Sequence, residues 1–157
     1  ILVEGYMDVI LLSQAGFGTA VATLGTAINE KQIEMIWKIS KEPNICFDGD
    51  SAGKRAEKKI IEITLPILSP EKSLRFCKLP YGKDPDDIIN NDGVDKMKKV
   101  IANSVPLVEI LWDNLNINTI AATAMSDGKI FDVPRIEWVK HNYCVRKYGT
   151  TRCFEGQ

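Results

Sequence analysis

Short apolar runs alternate with amphipathic stretches along the first two-thirds of this chain, and that alternation limits its fold more than any other feature. The runs are 1–3 (ILV), 19–24 (TAVATL), 44–47 (NICF) and 73–79 (SLRFCKL). Residues 7–16 carry Val9, Ile10 and Leu12 on or near one face and stop at Gly16, a helix with a glycine stop signal. Residues 29–41 open on Asn29 with Gln32 three positions later, a capping box, and Ile33, Ile36 and Trp37 form one apolar stripe. Residues 51–68 read as a long helix broken near Pro66. Residues 80–87 read as a loop by their proline and glycine. Residues 94–104 and 106–115 read as two more helices, the second with Pro106 in its first turn. The order β-α-β-α-β-α-β predicts an α/β fold. Its sheet is roughly four-stranded and mostly parallel, with flanking helices, followed by a helical segment.

In such a sheet, functional groups collect at the carboxyl ends of the strands. The acids of this chain follow that rule. Glu4 ends the first strand, and Asp8 lies one helical turn beyond it. Asp48 ends the third strand, with Asp50 just past it. Asp84, Asp86 and Asp87 occupy the loop after the fourth. So many carboxylates in one crevice cannot all stay ionised unaided. Hard divalent cations that prefer oxygen, Mg²⁺ or Mn²⁺, are their natural partners. Gly49 and Gly53 let the backbone turn tightly and approach a ligand. An isolated D-G-D or D-P-D-D can equally be a solvated loop. The conjunction of acids after three separate strands argues for a site.

Other chemistries use some of the same letters. A calcium loop counted from Asp48 fails at its fifth and twelfth positions, Ala52 and Lys59. A phosphatase with an aspartyl nucleophile also places D-x-D after a strand, but it wants Thr or Val where Ala52 stands and leaves Glu4 unexplained. No G-x-x-x-x-G-K-[ST] phosphate loop is present.

Composition narrows the field further. A net charge of −1 argues against strong electrostatic binding of nucleic acid by this piece alone. It leaves open chemistry in which a bound metal reverses the local sign. The four cysteines form no C-x-x-C pair and His141 is the sole histidine, so a Cys/His zinc site is not expected. Cys46 and Cys77 lie in apolar runs and read as reduced core residues; Cys144 and Cys153 could pair, but the plainer reading is free thiols in a cytosolic protein. No apolar run reaches the roughly 18 residues of a membrane span. The chain opens inside a strand without a methionine, which reads as a fragment of a longer protein. Residues 119–138 have weak periodicity and 138–157 are basic and aromatic; both read as packing or linker segments without a site.

The stretches EGYMDVI (4–10), LGTA (24–27), FDGDSAGKRA (47–56) and LPYGKDPDD (79–87), in that order and spacing, resemble the Toprim domain of bacterial DnaG-type DNA primases. Toprim is the metal-binding fold shared by primases, type IA and type II topoisomerases and some nucleases. The resemblance covers roughly residues 1–115. It implies a Toprim metal-binding catalytic domain over 1–90, a helical continuation of the polymerase core over 91–118 and a divergent or loosely structured tail over 119–157. It also implies roles: Glu4 as catalytic glutamate and metal ligand, Asp48 and Asp50 as the metal-binding pair, Asp84 and Asp86 completing the acidic site, and Asp8, Gly49 and Gly53 in support. Lys54, Arg55 and Lys83 flank the acids and are positioned for phosphate contacts, or are simply exposed lysines and arginine.

The function implied is two-metal nucleotidyl transfer that makes short RNA primers on single-stranded DNA in the cytoplasm, with Mg²⁺ or Mn²⁺ as cofactor. Its partners would be the single-stranded DNA template, nucleoside triphosphates and the nascent RNA primer. The replicative helicase would engage a domain absent here, and zinc would belong to an upstream domain also absent. No membrane is involved. The alternatives are another Toprim enzyme, a topoisomerase or nuclease, and an inactive Toprim binding module. The fragment alone could also be inactive.

Overall fold

The computed structural model describes residues 1–23, 28–69 and 71–114. The LGTA stretch and everything after 114, including the two C-terminal cysteines, lie outside the described residues. The chain divides into two compact units, 1–106 and 107–157. The second is described only through helix α6 (Leu107–Asn114).

Unit one carries a five-stranded sheet in the order β2-β1-β3-β4-β5. The strands are β1 (Leu2–Val3), β2 (Val21–Ala22), β3 (Asn44–Ile45), β4 (Arg75–Phe76) and β5 (Val105–Pro106). The first four are mutually parallel; β5 joins β4 antiparallel. Four strands were legible as apolar runs. The fifth was not, because Val105 and Pro106 form no run, and Pro106 serves this edge strand rather than the first turn of α6. Arg75 ties the edge down: its Nε donates to Ser104 Oγ at 2.9 Å and its Nη2 to the Ser104 carbonyl.

The helices obey their local signals. α1 (Tyr6–Gln14) ends with Gly16 at φ +93°, where Gly16 N–H donates to Ser13 O and Phe17 N–H to Leu12 O, the paired closure that glycine permits. α2 (Glu30–Ile39) begins with both halves of the capping box, Gln32 N–H to Asn29 Oδ1 at 3.1 Å and Asn29 N–H to Gln32 Oε1 at 2.9 Å. α3 (Ser51–Thr64) gives way at Pro66 to a short 3₁₀ turn, Leu65–Ile67. Residues expected as pure loop contain a helical turn, α4 (Pro85–Asp87), which runs into a wider π turn (Ile88–Asp92) before α5 (Val94–Ala102).

Strand alternation divides the core into two layers. Val3, Cys46 and Cys77 meet Leu12 of α1, Ile88 and Met97, all buried together. Leu2, Ile45 and Phe76 point to the opposite face, in one row across the register. α2 and α3 add Ile33, Trp37 and Ile60 to the buried residues. Trp37 Nε1 donates to the Ser73 carbonyl at 2.9 Å, so its buried polar edge is satisfied. Cys46 and Cys77 are buried free thiols, as expected. The hydrogen bond to Cys77, followed by burial, pushes the Cys46 thiol up and keeps it protonated.

Candidate metal centre

The strand order fixes where a ligand can enter. The chain runs from β1 outward to β2, then returns past β1 to β3 and continues to β4. The direction of winding therefore reverses between β1 and β3, which opens a crevice outside their carboxyl ends. Glu4 follows β1 directly and Asp48 follows β3 by three residues. The two meet there: the backbone N–H of Asp48 donates to Glu4 Oε1 at 3.1 Å.

Each remaining acid is held by its own local backbone or a neighbour. Asp8 Oδ2 accepts from Gly5 N–H at 3.0 Å, folding the first turn of α1 back onto the end of β1. Asp50 is the N-cap of α3, and its Oδ1 accepts from both Ala52 and Gly53 N–H at 2.8 Å. Asp84 caps α4 through Oδ1, which accepts from Asp87 N–H at 2.7 Å. Asn90 Nδ2 donates to Asp86 Oδ1, a positioning contact visible in sequence only as an i, i+4 spacing. Asp87 instead accepts from Asn91, in the π turn that follows α4.

The two acidic loops are fastened to each other. Gly49 N–H donates to the Lys83 carbonyl at 2.8 Å, and Gly82 N–H donates back to the Gly49 carbonyl at 3.2 Å. Gly49 and Gly53 are required here for room, since neither has a positive φ. A Cβ at Gly49 would run into the Pro80 carbonyl, and one at Gly53 into the backbone of Asp48. The expected tight approach is thus an approach of backbone to backbone.

Electrostatics identify the centre of the cluster. Burial first, and then Glu4, Asp8, Asp84 and Asp50, push Asp48 up to about 6. Asp8 is also raised, by burial and then by Asp84 and Asp86, against the opposing Gly5 hydrogen bond. These mutual effects place acids from β1, β3 and the loop after β4 within range of one another. Among the described residues, no three Asp, Glu, His or Cys side chains stand close enough to form a ready-made ion cage. The backbone bonds above explain the spread. The donor set still fits a hard divalent cation: it is all oxygen, and its crowded negative charge adds to burial in holding Asp48 back from ionising.

The three flanking cations are dispersed. Lys54 Nζ lies 6.0 Å from the centroid of the Tyr81 ring. Arg55 Nη1 reaches Ser51 Oγ at 3.4 Å, and Lys83 is half-buried. A separate groove of about 550 Å³ opens at the amino ends of the strands, lined by Ile1, Phe17, Val21, Ile36, Pro43 and Asn44 among others. It lies at the opposite edge from the carboxylates and holds none of them.

Comparisons with known proteins give the family of the chain. Residues 1–89 match the Toprim-like family. The chain is 46% identical over 112 residues to a DNA primase of Rickettsia bellii, an overlap covering 71% of this chain and 19% of that protein. It is 41% identical over 123 residues to the DNA primase of Pseudomonas aeruginosa, covering 78% and 18%. The chain thus spans about a fifth of the length of these curated relatives. A crystal structure of a DNA primase domain from P. aeruginosa superposes with a TM-score of 0.76 at 34% identity, covering 92% of this chain and 49% of that one. A DnaG primase catalytic domain bound to single-stranded DNA gives 0.74 at 29%, with coverage of 92% and 49%. With a family match over residues 1–89 and a carboxylate crevice at the reversal of its sheet, this chain belongs to the Toprim-like family.

Proposed function

We propose that this chain is the metal-binding part of a DNA primase catalytic core, which joins nucleotides into short RNA primers on a single-stranded DNA template. The observation that carries this reading is the junction of Glu4 and Asp48 at the switch point of the sheet, with Asp48 held at about 6 by burial and by the acids around it. Relatives named DNA primase, and a DnaG catalytic domain bound to single-stranded DNA, supply the reaction class.

Glu4, Asp48, Asp50, Asp84 and Asp86 would hold Mg²⁺ or Mn²⁺. Such ions supply charge neutralisation for the attacking 3′-hydroxyl and the departing pyrophosphate. The contribution of the chain is position. Glu4 orients the Asp48 loop through its hydrogen bond and is also placed to accept a proton at its carboxylate. Asp8 props the first turn of α1 beside it. Asp50, Asp84 and Asp86 each use one oxygen on a local partner, and the second is the donor an ion would take. Lys54, Arg55 and Lys83 are the groups available to phosphate. Template, nucleoside triphosphates and nascent primer are the partners of this reading, and the replicative helicase and a zinc module belong to other parts of the longer protein. The place of action is the cytoplasm; no described helix is long and apolar enough to cross a membrane.

The test is calorimetric titration of this chain with Mn²⁺, beside the Asp48→Ala, Asp50→Ala double variant. Binding by the first and none by the second is expected. Equal binding by both, or none by either, overturns the assignment. In the longer protein, Glu4→Gln should abolish primer synthesis on single-stranded DNA.

A further inference from the structure

Residues 80–83 close as a four-residue turn. Lys83 N–H donates to the Pro80 carbonyl at 3.1 Å, and Gly82 holds φ at +71°, the conformation its place in such a turn demands. The turn is pinned from behind by its two hydrogen bonds to Gly49, so it has little freedom to swing. What it carries outward is Tyr81. The second position of this turn favours proline for its fixed φ, and an aromatic ring gains nothing there locally. Tyr81 is 83% exposed. Lys54, from the first turn of α3, brings its ammonium to 6.0 Å from the ring centroid. Three residues after Tyr81 comes Asp84, one of the crevice acids.

An exposed ring on a pinned turn, with an ammonium beside it, matches one chemistry well. An unpaired nucleobase stacks on the ring, and the ammonium meets the adjoining phosphate. Duplex DNA offers no free base face to such a platform. We propose that Tyr81 is a stacking platform for one unpaired base of a single strand entering the carboxylate crevice, with Lys54 contacting that strand's phosphate. This deepens the primase reading and rests on it for the presence of a single strand.

The experiment measures binding of a fluorescent oligothymidylate to the 157-residue chain by anisotropy, at low salt and with Mn²⁺ present. Tyr81→Ala should weaken binding by between about 5-fold and 150-fold, the range for one base–aromatic stack. Tyr81→Trp should keep the affinity, and binding to the matching duplex should not respond to either change. A 5-iododeoxyuridine oligonucleotide should photo-crosslink to Tyr81. Equal oligothymidylate affinity in wild type and Tyr81→Ala, an equal loss on duplex, or crosslinks found only elsewhere overturns the proposal. Mn²⁺ titration of Tyr81→Ala separates the two readings. Retained Mn²⁺ binding without Tyr81-dependent strand binding sinks the platform alone. Absent Mn²⁺ binding in every form sinks the metal site, while Tyr81-dependent strand binding would still stand.

Discussion

The backbone N–H of Asp48 donates a hydrogen bond to the Glu4 carboxylate at 3.1 Å across 44 residues of sequence. One acid of the crevice therefore sets the path of the loop that presents another. It also separates two roles of Glu4, acceptor and anion, that different substitutions remove. Glu4→Gln keeps an acceptor oxygen and removes a charge that opposes Asp48, so without ions at neutral pH it should be at least as stable as wild type. Glu4→Ala removes the acceptor and should cost about 0.5–1.5 kcal/mol in urea unfolding, the net worth of one hydrogen bond. Both should lose Mn²⁺ affinity. Glu4→Gln should also lower the Asp48 pKa, readable by carboxyl NMR, because Glu4 ranks just after burial among the causes that raise it.

Asp48 is harder to ionise in the folded chain, at about 6, than at its ordinary value of 3.8. Its protonated form therefore favours folding. That contribution is full below 3.8 and is lost as pH rises through about 6. Asp48→Asn removes the charge that is held at a disadvantage. Without ions at neutral pH, this variant should melt above wild type, and the gap should close as pH falls below about 6. Added Mn²⁺ should reverse the order by binding the folded wild type alone. A lower melting point for Asp48→Asn at neutral pH without ions would refute the account. For the same reason, wild-type Mn²⁺ affinity should decline as pH drops through about 6, where the ion must displace a proton.

The glycines of the crevice make a third prediction. A side chain at Gly49 meets the Pro80 carbonyl, and one at Gly53 meets the Asp48 backbone. Backbone moves aside less readily than the end of a flexible side chain. Gly49→Ala and Gly53→Ala should each destabilise by about 1–3 kcal/mol, as overpacking does. Gly18→Ala is the control, since nothing lies within 4 Å of its added Cβ. Mn²⁺ affinity should fall with Gly49→Ala, which pries the Asp48–Asp50 loop from the Asp84–Asp86 loop, and stay unchanged with Gly18→Ala.

Much of this was legible in the sequence, for identifiable reasons. Asn29 and Gln32 announced a capping box because their side chains bond within their own turn. Gly16 announced the end of α1 because its positive φ is a local demand. The acids after strands one, three and four could be placed together because a parallel sheet delivers its carboxyl ends to one edge. What could not be read was non-local or depended on few residues. β5 exists because Arg75 and β4 offer Val105 and Pro106 an edge to pair with. The clamp between Gly49 and residues 80–83 joins backbones and leaves no mark on residue type beyond the two glycines. Among the described residues, that the acids lean on backbone partners and no three close into a ready-made cage follows from the caps they form. D-G-D and D-P-D-D already contained those caps: Asp at a helix start is an N-cap whether or not it is also a ligand.

That double use of Asp50 can be taken apart. Its Oδ1 accepts from Ala52 and Gly53 N–H at 2.8 Å and so satisfies two of the unpaired donors at the start of α3. Asparagine caps about as well as aspartate, whereas alanine does not cap. Asp50→Asn should therefore retain most of the stability, less the favourable meeting of a carboxylate with the positive end of the helix, worth about 0.3–1 kcal/mol. Asp50→Ala should lose about 0.5–2 kcal/mol, with α3 frayed at its first turn in amide exchange. If Asp50 is only a cap, Mn²⁺ affinity will track stability, and Asp50→Asn will bind better than Asp50→Ala. If it is also a ligand, the two variants will bind equally poorly while differing in stability. The second outcome is expected, because the oxygen that asparagine keeps is the one already committed to the helix.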